Sequence, residues 1–405
     1  MKTLKLKKIL AVGAAAIGLA AVAAPRVSVQ DVKVHYPWDG KADIRYFVTD
    51  NAGTAINMLV DVGPTKRIVS LEGDAAKLGN HTYTADLREM FGEFKGDVSA
   101  SVSYVQSSVP GATGAATGIL GDVMVIDVSN GSSAGTYPVN VYTNVDLGKF
   151  NVDAFKTSKI ALLKIPAGTL WPVEPGSNYA TVRTIAPQKD YWIGLFQVTE
   201  KQYASVMGAS KSTKGDAFPA ASVSYNLIRG GANQTGYMLP TDAISPDSFM
   251  GLLASKTGGA LKFDLPTEAQ WEIAARAGST AVYGHFVKDQ ARAEVTTDNI
   301  GDVAWYTGNN NPSGTKAVGQ KYPNSFGLYD TAGNVYEWCL DRYASDATWS
   351  DAETPWIGGS SNLRVIRGGY YSNDAASCRP SYRYNLGADY AYVNIGFRLC
   401  GAFAR

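Results

Sequence analysis

The 405-residue sequence holds few of the residues that usually bind transition metals, with three cysteines and three histidines. The histidines, His35, His81 and His285, lie far apart in the chain, at no spacing typical of a metal site. Zinc and non-haem iron centres need several such ligands brought together. The sequence therefore argues against a zinc or iron centre held by histidines.

The chain also lacks an excess of charge of either sign. Its 37 lysines and arginines nearly balance its 36 aspartates and glutamates. Proteins that bind nucleic acid or an anionic membrane usually carry a strongly basic surface. We therefore expect no nucleic-acid partner.

Long apolar runs are missing after the first residues of the chain. Near the start, four lysines within eight residues precede the apolar run 9–22, and Ala21-Val22-Ala23 offers a small-residue cleavage site. This pattern is typical of a secretory signal peptide over residues 1–23. The run is too short and too rich in alanine to be preferred as a transmembrane helix. The sequence predicts an exported protein, secreted or periplasmic, with no transmembrane segment in its mature part.

Residues 24–150 show a series of short strand patterns separated by turn signals. Ala42, Ile44, Tyr46 and Val48 alternate with other residues, as in a strand with one buried face. Similar runs recur at 56–62, 67–71, 98–105, 123–128 and 137–142. Several short strands at this spacing predict a β-sandwich of the immunoglobulin or fibronectin kind. Since no catalytic constellation stands out here, this half is interpreted as a structural or adhesive module.

Two capping boxes mark helix starts in the second half of the chain. Thr199 precedes Gln202 by three residues, and Thr267 precedes Gln270 in the same way. In such a box the threonine hydroxyl and the glutamine side chain satisfy free backbone groups of the first turn. We therefore expect a helix after each threonine.

Glycines provide stops for these two helices, at Gly208 and Gly278. A further helix is predicted over residues 246–255, with Ser245 as its cap. An apolar strand is predicted over residues 160–165. The predicted fold class is thus α+β, with an all-β sandwich followed by a domain of mixed structure.

The stretch 324–339 has the composition of a compact buried loop. Its glycines and asparagines favour turns and positive φ, and large aromatic and aliphatic residues stand between them. Asp330, Glu337 and the carbonyls between them are oxygen ligands of the kind that calcium takes. The alternative is a packed turn in which Asp330 caps backbone amides and Glu337 pairs with an arginine.

Four segments carry a resemblance to a known family. They are the strand and helix start 191–203, the helix 265–278, the loop 324–339 and the closing block with Arg-Gly-Gly at 367–369 and Gly-Phe-Arg at 396–398. In this order they resemble the motifs of the formylglycine-generating-enzyme (sulfatase-modifying factor) family. The resemblance covers about residues 160–402 and implies a domain over 160–405 with an irregular fold related to C-type lectins.

The resemblance also implies roles for particular residues. The family's best-placed cation site maps onto the side chains of Asp330 and Glu337 and the carbonyls of Gly333 and Val335, which implies calcium as a cofactor. The family motifs place further residues in the domain interior, each arginine paired with an acid or with carbonyls: Arg367, Arg383, Arg398, Trp271 and Trp338. Among acids, Glu337 and Asp341 lie nearest to these arginines in the motifs.

The family's enzymes oxidise a sulfatase cysteine with oxygen and copper held by two thiolates. Cys378 lies where the first catalytic cysteine belongs, but Arg383 stands where the second is expected. Copper is therefore implied only if the chain is an enzyme with Cys378 as its catalytic residue. Because one thiolate cannot supply the two-sulfur ligation that Cu(I) needs, the departure argues against the parent activity.

The remaining expectation about sulfur is a disulfide between Cys339 and Cys378. Export favours disulfides, and three cysteines allow three pairings. Cys339 and Cys378 belong to core motifs that must pack together if the family fold is present, whereas Cys400 lies near the C-terminus. The resemblance therefore favours this pair, and the bridge would consume the thiol at the catalytic position.

The predicted function is a module that binds a protein, peptide or glycan partner. Exposed aromatic rings are common recognition surfaces, and six tyrosines crowd the closing block: Tyr370, Tyr371, Tyr382, Tyr384, Tyr390 and Tyr392. The same rings could instead fill the core of a loop-rich fold. The alternative function is an oxidoreductase of the same superfamily that acts on protein cysteine.

Overall fold

The computed structural model describes residues 26–35, 40–50, 56–62, 65–71, 79–88, 98–102, 109, 111–174, 182–230, 238–259, 261–345, 347–358 and 362–403. The predicted signal peptide, residues 1–23, lies outside them. Within these ranges no helix is both long and apolar enough to cross a membrane.

Two three-stranded antiparallel sheets form the first part of the structure. Their strands are β1 Arg26–Val34, β2 Lys41–Asp50, β3 Ile56–Val62, β4 Thr65–Leu71, β5 Gly79–Asp86 and β6 Val98–Val102. The strand orders are β1-β2-β5 and β4-β3-β6. In β2, Ala42, Ile44 and Tyr46 are fully buried while Asp43 and Arg45 between them are accessible, as the alternation predicts.

Fourteen further strands follow. They are β7 Leu120–Asp127, β8 Val139–Asp146, β9 Lys159–Ile165, β10 Trp171–Val173, β11 Arg183–Ile185, β12 Tyr191–Gly194, β13 Leu261–Asp264, β14 His285–Lys288, β15 Ala291–Glu294, β16 Tyr336–Arg342, β17 Leu363–Arg367, β18 Arg383–Gly387, β19 Ile395–Gly396 and β20 Cys400–Phe403. A six-stranded sheet has the order β13-β20-β12-β9-β7-β8, and a four-stranded sheet has the order β18-β17-β16-β19. The pairs β10-β11 and β14-β15 complete the set.

The strands β7 and β8 belong to the six-stranded sheet. Both lie within residues 24–150, the span of the predicted N-terminal sandwich, but β7 pairs antiparallel with β9 and so extends this sheet. The physical reason is visible in β7, where residues 123–126 are all buried. A strand buried on both faces is central in its sheet and has a continuous apolar run rather than an alternation.

Five helices pack around these sheets in the described residues: α1 Ala154–Thr157, α2 Glu200–Met207, α3 Tyr225–Gly230, α4 Phe249–Lys256 and α5 Glu268–Arg276. Both predicted capping boxes are present, at the starts of α2 and α5. The helix α2 ends at Gly208, as predicted, whereas α5 ends one residue before Gly278, at Ala277 in the left-handed region with φ of 49°.

The helix α4 begins later than predicted, with Ser248 as its cap instead of Ser245. The Ser248 hydroxyl accepts a hydrogen bond from the Gly251 amide at 3.1 Å. The Ser245 hydroxyl donates to the carboxylate of Asp247 instead, so it does not cap the first turn. The structure is thus a mixed α+β fold in which strands predominate.

Alternate residues of the central strands face two separate cores. Met124 and Ile126 of β7 pack in the first core, which also contains residues of α2, α3 and α4. Val123 and Val125 pack in the second core, which also contains residues of α5. The four-stranded sheet contributes to the first core and brings together the motifs of the closing block.

Candidate functional site

The loop before β16 is shaped by residues in the left-handed backbone region. Asp330 and Asn334 have φ of 56° and 63°, and Gly333 between them has φ of 74°. A Cβ added at Gly333 would lie 2.2 Å from the carbonyl oxygen of Trp305, so no larger residue fits there. In this conformation the carbonyls of Asp330 and Val335 accept hydrogen bonds from the buried side chain of Gln197.

The carboxylate of Glu337, at the start of β16, is the centre of the first buried polar cluster. Arg398 donates to both of its oxygens, at 3.0 and 2.8 Å. The indole of Trp271 on α5 donates to Oε2 at 2.7 Å, and the side-chain amide of Gln197 donates to Oε1 at 3.0 Å. All four side chains are buried. The cluster joins α5, the loop, β16 and the Gly-Phe-Arg motif into one unit.

The residues predicted to bind calcium lie in one loop, and oxygens of Asp330, Val335 and Glu337 among them already accept hydrogen bonds. The Val335 carbonyl and Glu337 Oε1 converge on the Gln197 Nε2 atom, and the backbone carbonyl of Asp330 joins them. The Asp330 carboxylate turns the other way and accepts from the Gly319 amide at 2.7 Å. Burial raises the pKa of this carboxyl to about 6, and the Gly319 amide opposes that rise.

This arrangement does not fit a calcium ion. A donor nitrogen stands where the oxygens converge, and the Arg398 guanidinium contacts the same carboxylate. In the described residues, no group of three or more histidine, cysteine, aspartate or glutamate side chains is arranged to hold a metal. The packed-turn alternative, with Asp330 accepting from a backbone amide and Glu337 paired with an arginine, describes the geometry.

A second buried cluster centres on Glu268, the first residue of α5. Its carboxylate accepts from Arg367 at 3.0 Å and from Arg383 at 2.6 and 2.7 Å. Arg367 also pairs with Glu272 one turn further along the helix. Burial on its own raises the pKa of the Glu268 carboxyl, but Arg383 and Arg367 hold it below its ordinary value.

Asp341, predicted to lie near an arginine, has a different role. Its carboxylate accepts from the backbone amides of Glu268 and Trp356, at 2.6 and 2.8 Å. Burial, and then the negative charge of Glu268, raises the pKa of Asp341 to about 7. Asp341 therefore ties the start of α5 to β16 through backbone groups.

Trp338, the other predicted interior tryptophan, is fully buried, and its indole donates to the Val223 carbonyl at 2.9 Å. It lies in the first core, whereas Trp271 lies in a small cluster with Ala275, Cys339 and Val365. The five residues predicted for the interior are thus buried, in two polar clusters and two apolar ones.

The three cysteines are free thiols, which corrects the predicted disulfide between Cys339 and Cys378. Cys339 packs beside Trp271, while Cys378 packs in a separate apolar cluster with Phe286 and Ala304. Cys400 lies in the second core near Gln270. The motifs do pack in one domain, but their cysteines face different clusters.

Cys378 is also poorly suited to act as a nucleophile. Its side chain is 1% exposed, and burial, followed by the charge of Asp374, raises the pKa of its thiol to about 12. A thiol with so high a pKa carries almost no thiolate near neutral pH, and the thiolate is the reactive form.

Three of the closing-block tyrosines are exposed to solvent. Tyr384, Tyr390 and Tyr392 are 48%, 48% and 49% exposed, and the rings of Tyr390 and Tyr392 stack at 5.6 Å between centroids. Tyr384 stacks on the buried Tyr336 at 5.8 Å. The other three predicted tyrosines are partly buried, Tyr370 and Tyr382 against the first core.

Residues 152–402 match the family model of the sulfatase-modifying factor enzyme 1-like domain, that is, of formylglycine-generating enzymes. The chain belongs to this family. The match covers well over half of the chain and includes both polar clusters and the tyrosines.

Two relatives differ in the share of their own length that aligns with this chain. A chaperone protein LppX from Paenibacillus barcinonensis is 28% identical over 289 residues, which are 64% of this chain and 90% of the relative. A formylglycine-generating enzyme from Thermomonospora curvata is 34% identical over 156 residues, which are 34% of this chain and 48% of the enzyme. The chain thus spans about half the length of that enzyme.

Among solved structures, PvdO from Pseudomonas aeruginosa aligns with 60% of this chain and 94% of its own, at 22% identity and a TM-score of 0.47. Treponema denticola variable protein 1 aligns with 60% of this chain and 95% of its own, at 24% identity and a TM-score of 0.44.

The copper chemistry implied by formylglycine-generating enzymes does not fit the residues present. The second position is Arg383, whose guanidinium is bound to Glu268 and is no ligand for copper. Cys339 and Cys400 lie in other clusters than Cys378. The three cysteines, all within the described residues, therefore provide no Cu(I) pair.

Three residues of these clusters were not predicted from the sequence: Gln197, Glu268 and Glu272. Both glutamates lie in a helix that is buried along its whole length. The available signal was Glu272, an acid between the apolar residues Trp271 and Ile273, since a buried carboxylate requires a cationic partner. Gln197 gave no comparable signal, because a neutral amide in a strand-to-helix turn is compatible with exposure.

Proposed function

We propose that this chain is an exported, non-catalytic member of its family that binds a partner protein through the exposed tyrosines of its closing block. The observation that carries the proposal is the group of three half-exposed rings, Tyr384, Tyr390 and Tyr392, with the 59% exposed Val393 beside them. Exposed tyrosines supply large contact area at little cost in side-chain entropy.

The composition around these rings favours a protein as the partner. Residues 384–394 contain tyrosine, asparagine, glycine, alanine and a single charged residue, Asp389. Protein interfaces are depleted in charge and enriched in tyrosine at their centres, and antibody loops combine tyrosine with asparagine and glycine. The relative named as a chaperone protein, which aligns over 90% of its length, supports a role in which this domain contacts another protein.

The rings are presented by a rigid support. Tyr384 lies on β18, directly after Arg383, which is held by Glu268. The loop that carries Tyr390 and Tyr392 is tied back by backbone bonds from Ser222 to the Tyr392 carbonyl and from Asn226 to the Ala388 carbonyl. A supported surface loses less conformational entropy on binding.

We propose that the N-terminal strands form the immunoglobulin-like or fibronectin-like sandwich predicted from the sequence, and that this module carries the binding domain. Its two three-stranded antiparallel sheets support this proposal. The proposed location is secreted or periplasmic, on the basis of the pattern in residues 1–23.

The proposal is tested by affinity capture from the exported proteins of the source cell. The wild type is compared with the triple variant Tyr384→Ala, Tyr390→Ala, Tyr392→Ala and with Leu170→Ala, a control at a 64% exposed apolar residue elsewhere. We expect one protein to be retained by the wild type and the control and lost by the triple variant, followed by direct titration of that purified protein. Binding of a glycan array through the same rings, or equal capture by the triple variant, would contradict a protein partner.

The oxidoreductase alternative is separated by a second measurement. Reduced protein is mixed with copper and a cysteine-containing sulfatase peptide, and oxygen consumption is followed. Because the three described cysteines lie in separate clusters and form no pair of thiolates, we expect no consumption above that of the Cys378→Ala variant. Turnover that depends on Cys378 would establish the enzymatic function.

A further inference from the structure

Three oxygen atoms converge on one nitrogen atom in the centre of the domain. Gln197 Nε2 lies 3.1 Å from the Asp330 carbonyl, 3.1 Å from the Val335 carbonyl and 3.0 Å from Glu337 Oε1. Gln197 is fully buried. A primary amide has two hydrogens to donate. Three acceptors therefore surround a group that can fully satisfy two of them.

The orientation of this amide follows from its neighbours. The Lys316 backbone amide donates to Asn334 Oδ1 at 2.9 Å, which fixes Asn334 Nδ2 on the other side. That nitrogen lies 3.1 Å from Gln197 Oε1, so the Gln197 oxygen must face Asn334 and its nitrogen must face the three oxygens. The opposite orientation would place oxygen against oxygen and nitrogen against nitrogen.

The charged group that the amide contacts, the Glu337 carboxylate, is already paired. Glu337 contributes one negative charge, and Arg398 contributes one positive charge in contact with both of its oxygens. A buried charge requires a compensating charge. A neutral donor fits this balance, whereas a divalent cation would leave an excess of positive charge beside Arg398.

We infer that the side-chain amide of Gln197 takes the place of a cation in this domain, so that the loop 330–337 is held together without calcium. Convergent carbonyl and carboxylate oxygens are the ligand set of a hard cation. Here the two hydrogens of the Gln197 amide, together with the Arg398 guanidinium at Glu337, satisfy them, with no metal required. The residue type at position 197 then decides whether the loop depends on a cation.

The first consequence is that a carboxylate at position 197 creates a calcium site. In Gln197→Glu, two carboxylates and two carbonyls face one another, and without a cation they repel. The full chain with this substitution should unfold at a lower temperature in EDTA than the wild type. Calcium at 100-fold above its Kd should raise the unfolding temperature of the variant by about 5–10 °C. The wild type should unfold at the same temperature in EDTA and in calcium chloride.

The matched control is Gln197→Met, which keeps the size of the side chain but removes both its donor and its acceptor. It should be destabilised like the glutamate variant but gain nothing from calcium. An unfolding temperature of the wild type that rises with calcium, together with loss of that rise in Gln197→Met, would overturn the inference.

A second readout covers the case in which Gln197→Glu fails to fold. Gln197→Asp removes the amide and adds a shorter carboxylate, a negative charge that Arg398 does not neutralise, so terbium ions should enter. The Trp271 indole lies 2.7 Å from Glu337 Oε2, so light absorbed by tryptophan should excite bound terbium. We expect terbium emission from the aspartate variant, none from the wild type and none from Gln197→Met. Absence of emission from the aspartate variant and of a calcium response in the glutamate variant would also overturn the inference.

Discussion

The inner and outer sides of the closing block, residues 364–399, differ sharply in what they contact. On the inner side, Arg367, Arg383 and Arg398 are buried and each contacts a carboxylate. On the outer side, Tyr384 and its neighbours in the following loop are about half exposed. Arg383 and Tyr384 are adjacent in sequence, so one strand serves both surfaces because successive side chains point to opposite faces.

The difference indicates that the inner side of the block stabilises the fold and that the outer side is available for binding. The inner side is connected by charge-assisted hydrogen bonds, which are shorter and stronger than neutral ones and which need exact partners. The outer side has few partners within the chain and can change at little cost to the fold. We therefore expect substitutions on the inner side to be read out as loss of stability and those on the outer side as loss of binding.

The largest effect is expected from Glu268→Gln. This change leaves Arg367 and Arg383 buried with one charge fewer between them, and breaking such a pair costs on the order of 3–5 kcal/mol of unfolding free energy. Denaturant unfolding measures it. The matched control, Glu294→Gln at an exposed position, should change the unfolding free energy by no more than about 0.5 kcal/mol. Equal stability of the two variants would show that the inner cluster is no more sensitive than the surface.

A smaller effect on stability is expected from the protonation of His285. This residue precedes Phe286, which packs in the same apolar cluster as Cys378. Burial, and then the charge of Arg292, lowers the pKa of His285 to about 4. Because the unfolded chain takes up this proton near pH 6.5 and the folded chain does not, stability is retained above that pH and falls as the pH drops towards 4. With its partial exposure, we expect a loss of about 1–2 kcal/mol over this window.

The measurement for His285 is the difference in unfolding free energy between the wild type and His285→Gln at several pH values. This difference should change across the window, since acids such as Asp341 titrate in both proteins alike and cancel. A difference that stays constant from pH 7 to pH 4 would contradict the assignment.

An effect of about 1 kcal/mol is expected from Cys378→Ala, which removes one sulfur atom from an apolar cluster. The same site predicts a chemical result. A thiol reagent should label none of the three buried cysteines in the folded protein and all three after unfolding under non-reducing conditions. Labelling of a single cysteine in the unfolded chain would reveal a disulfide between the other two and contradict the assignment of three free thiols.

The smallest effect on stability is expected on the outer side. Tyr390→Ala and Tyr392→Ala should each change the unfolding free energy by about 0.5 kcal/mol or less. Tyr336→Ala, the control at the buried member of the Tyr384 stack, should cost about 3–5 kcal/mol as an aromatic core truncation. If the exposed tyrosines proved as costly as Tyr336, they would serve packing and not recognition.

Sequence alone determined the parts of this protein that depend on local chemistry. The capping boxes at Thr199 and Thr267 join groups three residues apart, so their geometry is set within one turn. The alternation in β2 and the family motifs over the second half were also recognisable, because each is contained in a short stretch of sequence. Burial of the three arginines also followed from their motifs.

Tertiary structure alone decided which groups meet. Glu337 and Arg398 lie 61 residues apart and Glu268 and Arg383 lie 115 apart, and no local pattern encodes such pairings. The same holds for the cysteines, whose motifs pack in one domain while their side chains face separate clusters. Gln197 illustrates the reason most clearly: the loop supplies oxygens that suit a cation, and the amide that donates to them belongs to a side chain 140 residues from Glu337.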